Sequence, residues 1–237
     1  MISKDKLALY QEELKDKSAE QVLKWAFDNF NIKKVALATS LSIEDQVLTD
    51  MIIKINPEAR IFTLDTGRLF EETYQTIDAT CMKYKIKMEI LFPDKKKVEK
   101  MVNEKGINLF YESVDNRKLC CNIRKVESLK AMLSSLDCWI TGLRREQSVT
   151  RADVKKIEWD DANNIFKLNP LADWSEGDVW NYIKENNVPY NKLQDRHFPS
   201  IGCAPCTRAI KEGEDIRAGR WWWENPEHKE CGLHIKK

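Results

Sequence analysis

The feature that most constrains this chain's fold is an alternation of short apolar runs with longer helical patterns. Residues 35–38 (VALA), 60–65 (RIFTLD), 87–92 (KMEILF) and 138–142 (CWITG) read as strands. Helical patterns occupy 44–55, 70–84, 94–105 and 118–133, and an earlier helix opens on a capping box at Ser18–Gln21. That helix carries Val22, Leu23, Ala26, Phe27 and Phe30 on one face. Strands alternating with helices predict an α/β fold, an open and mostly parallel sheet with helices on both faces. Residues 154–160 (VKKIEWD) and 165–170 (IFKLNP) predict a further hairpin, and 176–185 a last helix. The expected division is a helical segment at 1–31, a nucleotide-binding α/β body at 32–200, and a Cys-, Trp- and Arg-rich C-terminal segment at 201–237 of the same domain.

In such sheets ligands sit beyond the carboxyl ends of the strands. Three strand ends carry polar clusters: TSLSIED (39–45), DTGR (65–68) and TGLRREQSVTR (141–151). Their convergence predicts a nucleotide-sized site. The chain's formal net charge is +1, which supplies no global field for nucleic acid, so anions must be bound by local groups. No apolar run reaches the length of a membrane span, and the N-terminal stretch has no continuous apolar core, so neither a membrane segment nor a secretion signal is expected. A cytoplasmic location follows as the expectation.

Seven cysteines then need a reason other than a disulfide framework. Cys81 and Cys138 lie in apolar surroundings and read as core. Cys120–Cys121 and Cys203-Ala-Pro-Cys206 form two close pairs, the donor count of a zinc site or an iron–sulfur cluster. Adjacent cysteines suit a cubane, whose separate iron atoms accept neighbouring ligands, better than a zinc tetrahedron. Zinc and a redox dithiol remain open at this point. Lys125, Arg144, Arg145, Arg151, Arg217 and Arg220 supply cationic groups suited to sulfate or phosphate oxygens. Cys231, in KECGLH with His234 three residues on, is a candidate thiolate nucleophile on a polar tail. Trp221–Trp223 read as packing anchors.

Taken together, LDTGRLFEETY (64–74), CCNIRK (120–125), GLRREQSVTR (142–151), NPLADW (169–174), GCAPCTR (202–208), GRWWWE (219–224) and KECGLH (229–234) resemble the assimilatory adenylyl-sulfate (APS) and phosphoadenylyl-sulfate (PAPS) reductase family. The resemblance implies an adenine nucleotide alpha-hydrolase-like fold and, from the complete cysteine set, the APS branch with one [4Fe–4S] cluster on Cys120, Cys121, Cys203 and Cys206. It implies that Cys231 attacks the sulfur of APS to form S-sulfocysteine and AMP, and that thioredoxin or a similar dithiol then releases sulfite. Ser40, Ser42 and Leu64 would hold the adenosine; Lys125, Arg144, Arg151, Arg217, Arg220 and His234 would meet the anionic groups. No nucleic acid or membrane partner is expected, and a homo-oligomer is left open.

Within the wider superfamily, ATP pyrophosphatases carry a glycine-rich SGGxDS-type loop after the first strand. TSLSIED has no glycine, which argues against pyrophosphate chemistry. Alternatives carried forward are a PAPS-preferring or dual-specificity reductase, a tRNA thiolase of the same fold, and a zinc-binding interaction module.

Overall fold

The computed structural model describes residues 3–147 and 151–225. Eight α-helices among them are α1 (Leu7–Leu14), α2 (Ala19–Asn29), α3 (Ile43–Ile55), α4 (Glu71–Tyr84), α5 (Lys95–Lys105), α6 (Val114–Cys121), α7 (Glu127–Leu133) and α8 (Glu176–Glu185). Six strands, β1 (Val35–Thr39), β2 (Arg60–Leu64), β3 (Glu89–Leu91), β4 (Cys138–Ile140), β5 (Ile157–Asp160) and β6 (Ile165–Leu168), form one sheet in the order β3-β2-β1-β4-β6-β5. β1 runs parallel to β2 and to β4, and β4 parallel to β6. β5 closes the edge antiparallel to β6, the hairpin expected from the sequence. The α/β class with a mostly parallel sheet is therefore as the alternation predicts. The chain leaves β1 towards β2 on one side, while β4 lies on the other. That change of direction places a topological switch point between β1 and β4.

Two compact units are interleaved along the chain. The first comprises the chain up to Thr63, Gln75–Glu89 and Leu133–Asn191. Its core gathers Val22, Leu23 and Ala26 of α2, Val35 and Leu37 of β1, Val47, Leu48 and Met51 of α3, Ile140 of β4 and Phe166 of β6. α2 starts where the sequence places it. The Ser18 hydroxyl accepts from the Gln21 N–H at 3.3 Å and the Gln21 side chain accepts from the Ser18 N–H at 2.8 Å. Phe27 and Phe30 pack partly buried against this core, and Trp25, which lies off the expected face, is buried in it.

The second unit comprises Leu64–Tyr74, Ile90–Met132 and the chain from Lys192. Its smaller core is built from Met101, Leu109, Phe110 and Trp221, and it includes Cys120 and Cys206. The helix expected over 118–133 is two helices, α6 and α7, joined by a π-helical turn, Asn122–Val126. Such turns inside α-helices are frequent at functional sites because the extra residue redirects neighbouring side chains. No helix among the described residues is long and apolar enough to cross a membrane.

Candidate functional site

In the first unit the ends of β1 and β4 come together against the start of α3. After Thr39 the chain turns through Leu41, which has φ +62° and a buried side chain. A leucine in the left-handed region costs about 1–2 kcal/mol, a conformation that glycine adopts freely. The loop thus keeps a glycine-like backbone while its side chain goes to the core. Asp45 closes the turn, accepting from the Ser40 N–H at 2.6 Å and the Ser40 hydroxyl at 2.8 Å. Burial pushes the Asp45 carboxyl up to about 6, against the lowering effect of its bonds from Ser40 and of a lesser one from the Ser42 side chain. Gly142, just past β4, touches α3 closely: a Cβ there would lie 2.5 Å from Asp45 Oδ1 and 2.8 Å from Glu44 Cβ.

Glu44 is buried and accepts from Arg144 Nε at 3.0 Å, Arg144 Nη2 at 2.9 Å and Gln147 Nε2 at 2.9 Å. Arg144 is itself buried and also donates to the Trp174 carbonyl at 3.3 Å. The structure therefore uses this guanidinium inside the first unit, tying β4's exit to α3 and the 169–174 segment. Arg151 is half-buried and donates from Nη1 to the side-chain amide oxygen of Gln147. Asn169 is buried, accepting from the Thr141 hydroxyl at 2.6 Å and donating to the Lys155 carbonyl and the Glu158 carboxylate. Of the expected residues, Ser40, Ser42, Arg144 and Arg151 lie in this assembly. Glu44, Gln147 and Asn169 were missed by the sequence reading, because an acid, an amide and an asparagine in loops have many ordinary uses.

The second unit gathers the paired cysteines. Cys120 and Cys121 end α6, whose start is capped by the Ser113 hydroxyl. Cys203 precedes and Cys206 ends one 3-10 turn, Ala204–Cys206, and the Cys206 N–H donates to the Cys203 carbonyl at 2.9 Å. All four thiols belong to one apolar cluster with Phe110 and Trp221. Burial pushes the Cys206 and Cys120 thiols up, and the neighbouring cysteines raise them further; Arg124 works the other way on Cys120, as Arg220 does on Cys206.

The LDTGR loop holds this turn. Thr66 Oγ1 lies 3.1 Å from Cys203 Sγ, and the Ala204 N–H donates to the Arg68 carbonyl at 2.8 Å. Arg124 Nη1 donates to the Thr66 carbonyl at 2.8 Å. Asp65 Oδ1 accepts from the Gly67 N–H at 2.7 Å and the Tyr74 hydroxyl at 3.0 Å. Burial, followed by Asp65, pushes the Tyr74 phenol up to about 12. Leu64 is half-buried at the end of β2.

The cationic candidates differ in how they are held. Arg220 Nη1 donates to the Ile201 carbonyl at 3.1 Å, and its guanidinium lies over the Trp221 ring at 4.7 Å. Gly202 makes room for it, since a Cβ would fall 2.3 Å from Arg220 Nη2. On Trp221 also lies Arg117, at 4.7 Å, bonded twice to Glu224. Arg217 is half-buried, and its backbone N–H donates to Asp215 Oδ1. Lys125 stands in the π-helical turn, half-buried, with no hydrogen-bond or ion-pair partner among the described residues. Cys231 and His234 lie outside the described residues.

Does this donor set fit an iron–sulfur cluster? Among the described residues no three His, Cys, Asp or Glu side chains are placed to hold a single metal ion. A cubane makes a different demand, because its four thiolates attach to separate iron atoms. Four thiols in one apolar cluster meet that demand. Trp221 Nε1 is buried in the same cluster without an acceptor among the described residues, an N–H that a sulfide or thiolate would satisfy.

The family model described as "Phosphoadenosine phosphosulfate reductase domain" matches residues 34–209. A protein of Allochromatium vinosum named adenosine 5'-phosphosulfate reductase is 53% identical over 206 residues, covering 87% of this chain and 80% of its own. One of the same name from Burkholderia cepacia is 54% identical over 202 residues, covering 85% of this chain and 81% of its own. A solved phosphoadenylyl-sulfate reductase from Candida auris, crystallised as a phosphate complex, superposes with a TM-score of 0.76 at 27% identity, covering 89% of this chain and 98% of that one. A Candida glabrata FMN adenylyltransferase shares the fold at a TM-score of 0.55 and 16% identity, covering 97% of this chain and 78% of that one. The chain belongs to the phosphoadenosine phosphosulfate reductase family, a family of oxidoreductases.

Proposed function

We propose that this chain reduces APS to sulfite and AMP in the cytoplasm, as part of sulfate assimilation and cysteine biosynthesis. The observation that carries the proposal is the gathering of the buried Cys120 and Cys206 with the partly buried Cys121 and Cys203 in one apolar cluster, in a chain about half identical to relatives named for that reduction. Those four thiolates would hold one [4Fe–4S] cluster. When bound, the cluster supplies an electrostatic environment for the substrate and not the reducing electrons.

The reducing equivalents come from thiols. Cys231 thiolate attacks the sulfur of APS; a Cys–sulfur bond forms, the sulfur–oxygen bond to the nucleotide breaks, and AMP leaves with the electron pair. A thiolate of a thioredoxin-like dithiol then attacks the Cys231 sulfur. Sulfite departs, Cys231 and the reductant share a mixed disulfide, and the second thiol resolves it. Two electrons pass from the dithiol to the sulfur. Ser40, Ser42 and Leu64 bind the adenosine. Lys125, Arg151, Arg217, Arg220 and His234 neutralise the sulfate and phosphate charges so that one anion can approach another. Arg144 is proposed to serve this binding from behind, through its bonds to Glu44.

The test is a single turnover. Enzyme mixed with APS and no reductant should release one AMP per active site and stop, gaining the mass of one SO₃ on the peptide that contains Cys231. Cys231→Ser should release none. An adduct on Cys81 or Cys138, or turnover by the serine variant, would overturn the mechanism. A PAPS-preferring reductase is the second reading, since the family model and the Candida auris neighbour are named for that substrate; kcat/KM for the two nucleotides decides between them.

A further inference from the structure

We infer that Gln147 is a positioning residue: it holds the Arg151 guanidinium ready for the nucleotide's anionic group, and Glu44 sets the direction in which its amide points. The inference rests on the reading of Arg151 as an anion-binding residue.

A primary amide has two N–H donors and a carbonyl oxygen with two lone pairs. Gln147 uses all four. Its nitrogen donates to Glu44 Oε1 at 2.9 Å and to the Gly142 carbonyl at 3.2 Å. Its oxygen accepts from the Arg144 backbone N–H at 3.1 Å and from Arg151 Nη1. The two ends of an amide are nearly the same shape, so chemistry must decide which way it faces. Turned over, the nitrogen would meet two donors, a guanidinium among them, and the oxygen would meet a carboxylate and a carbonyl. Only one orientation is compatible with these neighbours.

Glu44 makes that choice firm. It sits in the first turn of α3, buried, and its charge is answered by Arg144 through two nitrogens. Gly142 lets β4's exit close onto α3 at this point, which fixes the second acceptor for the Gln147 nitrogen. A path of hydrogen bonds therefore runs from the helix start, through a rigid ion pair and one fully used amide, to Arg151. An arginine has a long, flexible stem, and holding its fork beforehand removes an ordering cost from binding. A hydrogen bond to a charged group is stronger than one between neutral groups, so its loss should be felt as a change of roughly tenfold or more.

The experiment is a double-mutant cycle using AMP as the probe. Binding of AMP and steady-state kinetics with APS are measured for the wild-type holoenzyme, Gln147→Met, Arg151→Ala and the double variant, with thermal midpoints alongside. Gln147→Met keeps length and stem but removes every polar contact. It should weaken AMP binding and raise KM roughly tenfold, leave kcat within about twofold, and add nothing in the Arg151→Ala background. The same loss in both backgrounds, or wild-type affinity in Gln147→Met, would overturn the proposal. Wild-type AMP affinity in Arg151→Ala would instead remove the reading of Arg151 on which it stands, and the cycle separates these failures.

Discussion

Arg117 shows what a buried charge demands of its neighbours. Its side chain is 1% exposed, and its guanidinium forks onto the Glu224 carboxylate at 2.9–3.0 Å through two nitrogens. Removing one member of a buried pair leaves the other uncompensated, which typically costs about 3–5 kcal/mol. Glu224→Ala should therefore lower the denaturant midpoint by that equivalent, while a surface pair such as Lys15–Glu12 should contribute almost nothing on removal. Lys125 presents the opposite case. It is half-buried and has no hydrogen-bond or ion-pair partner among the described residues, so its replacement breaks no such contact. On the proposed function its partner is the substrate. Lys125→Met should leave the thermal midpoint unchanged and reduce kcat/KM by at least tenfold, since an unpaired substrate charge costs roughly 2–5 kcal/mol. A loss of stability with intact kinetics would return Lys125 to a structural role.

The start of α3 is where an element-scale property can be measured. Asp45 is buried there and titrates near 6 when folded, against an ordinary value of 3.8. A raised carboxyl pKa means that the folded state holds the proton more tightly than the unfolded chain. Between about pH 4 and 6 the native state then binds more protons, and this group's contribution to stability falls as pH rises. Asp45→Asn should remove that slope: plotted against pH, the stability difference between variant and wild type should change across this window and be flat above it. A constant offset at every pH would show that Asp45 titrates normally. The element itself was readable beforehand, because the apolar spacing of residues 44–55 and the strands on either side follow from local patterning. The hairpin of β5 and β6 was readable for the same reason. What holds the element was not. Glu44 meets Arg144 across 100 residues of sequence, and Thr66 meets Cys203 across 137. No local period encodes either pairing. The π-helical turn also escaped, since residues 118–133 keep a helical pattern through it and only the backbone reveals the extra residue.

At the scale of the whole molecule, the proposed cluster makes a claim about folding as well as chemistry. Cys120 and Cys206 are buried in a core whose other buried apolar members, among the described residues, are Met101, Leu109, Phe110 and Trp221. Burial raises both thiols above their ordinary range, which favours the protonated form and leaves them to contribute modest packing. On the proposed function, coordination by iron would change this balance, because metal binding takes the thiolate form and its free energy is added to folding. The consequence reaches beyond the ligands themselves. Trp221 carries the Arg117 and Arg220 stacks, and the Ala204–Cys206 turn is bonded to Arg68, so loosening the thiols loosens the groups proposed to meet the anion. Protein purified without oxygen should be brown, with about four iron atoms and matching labile sulfide per chain. Removing the iron with a chelator should lower the thermal midpoint and increase amide exchange first in residues 109–124 and 202–221, while the core containing Val35, Leu37 and Ile140 keeps its protection. Stoichiometric zinc without sulfide would contradict the cluster and favour a structural metal. Iron-free protein with the same exchange pattern as the loaded protein would show that the thiols pack as ordinary core residues.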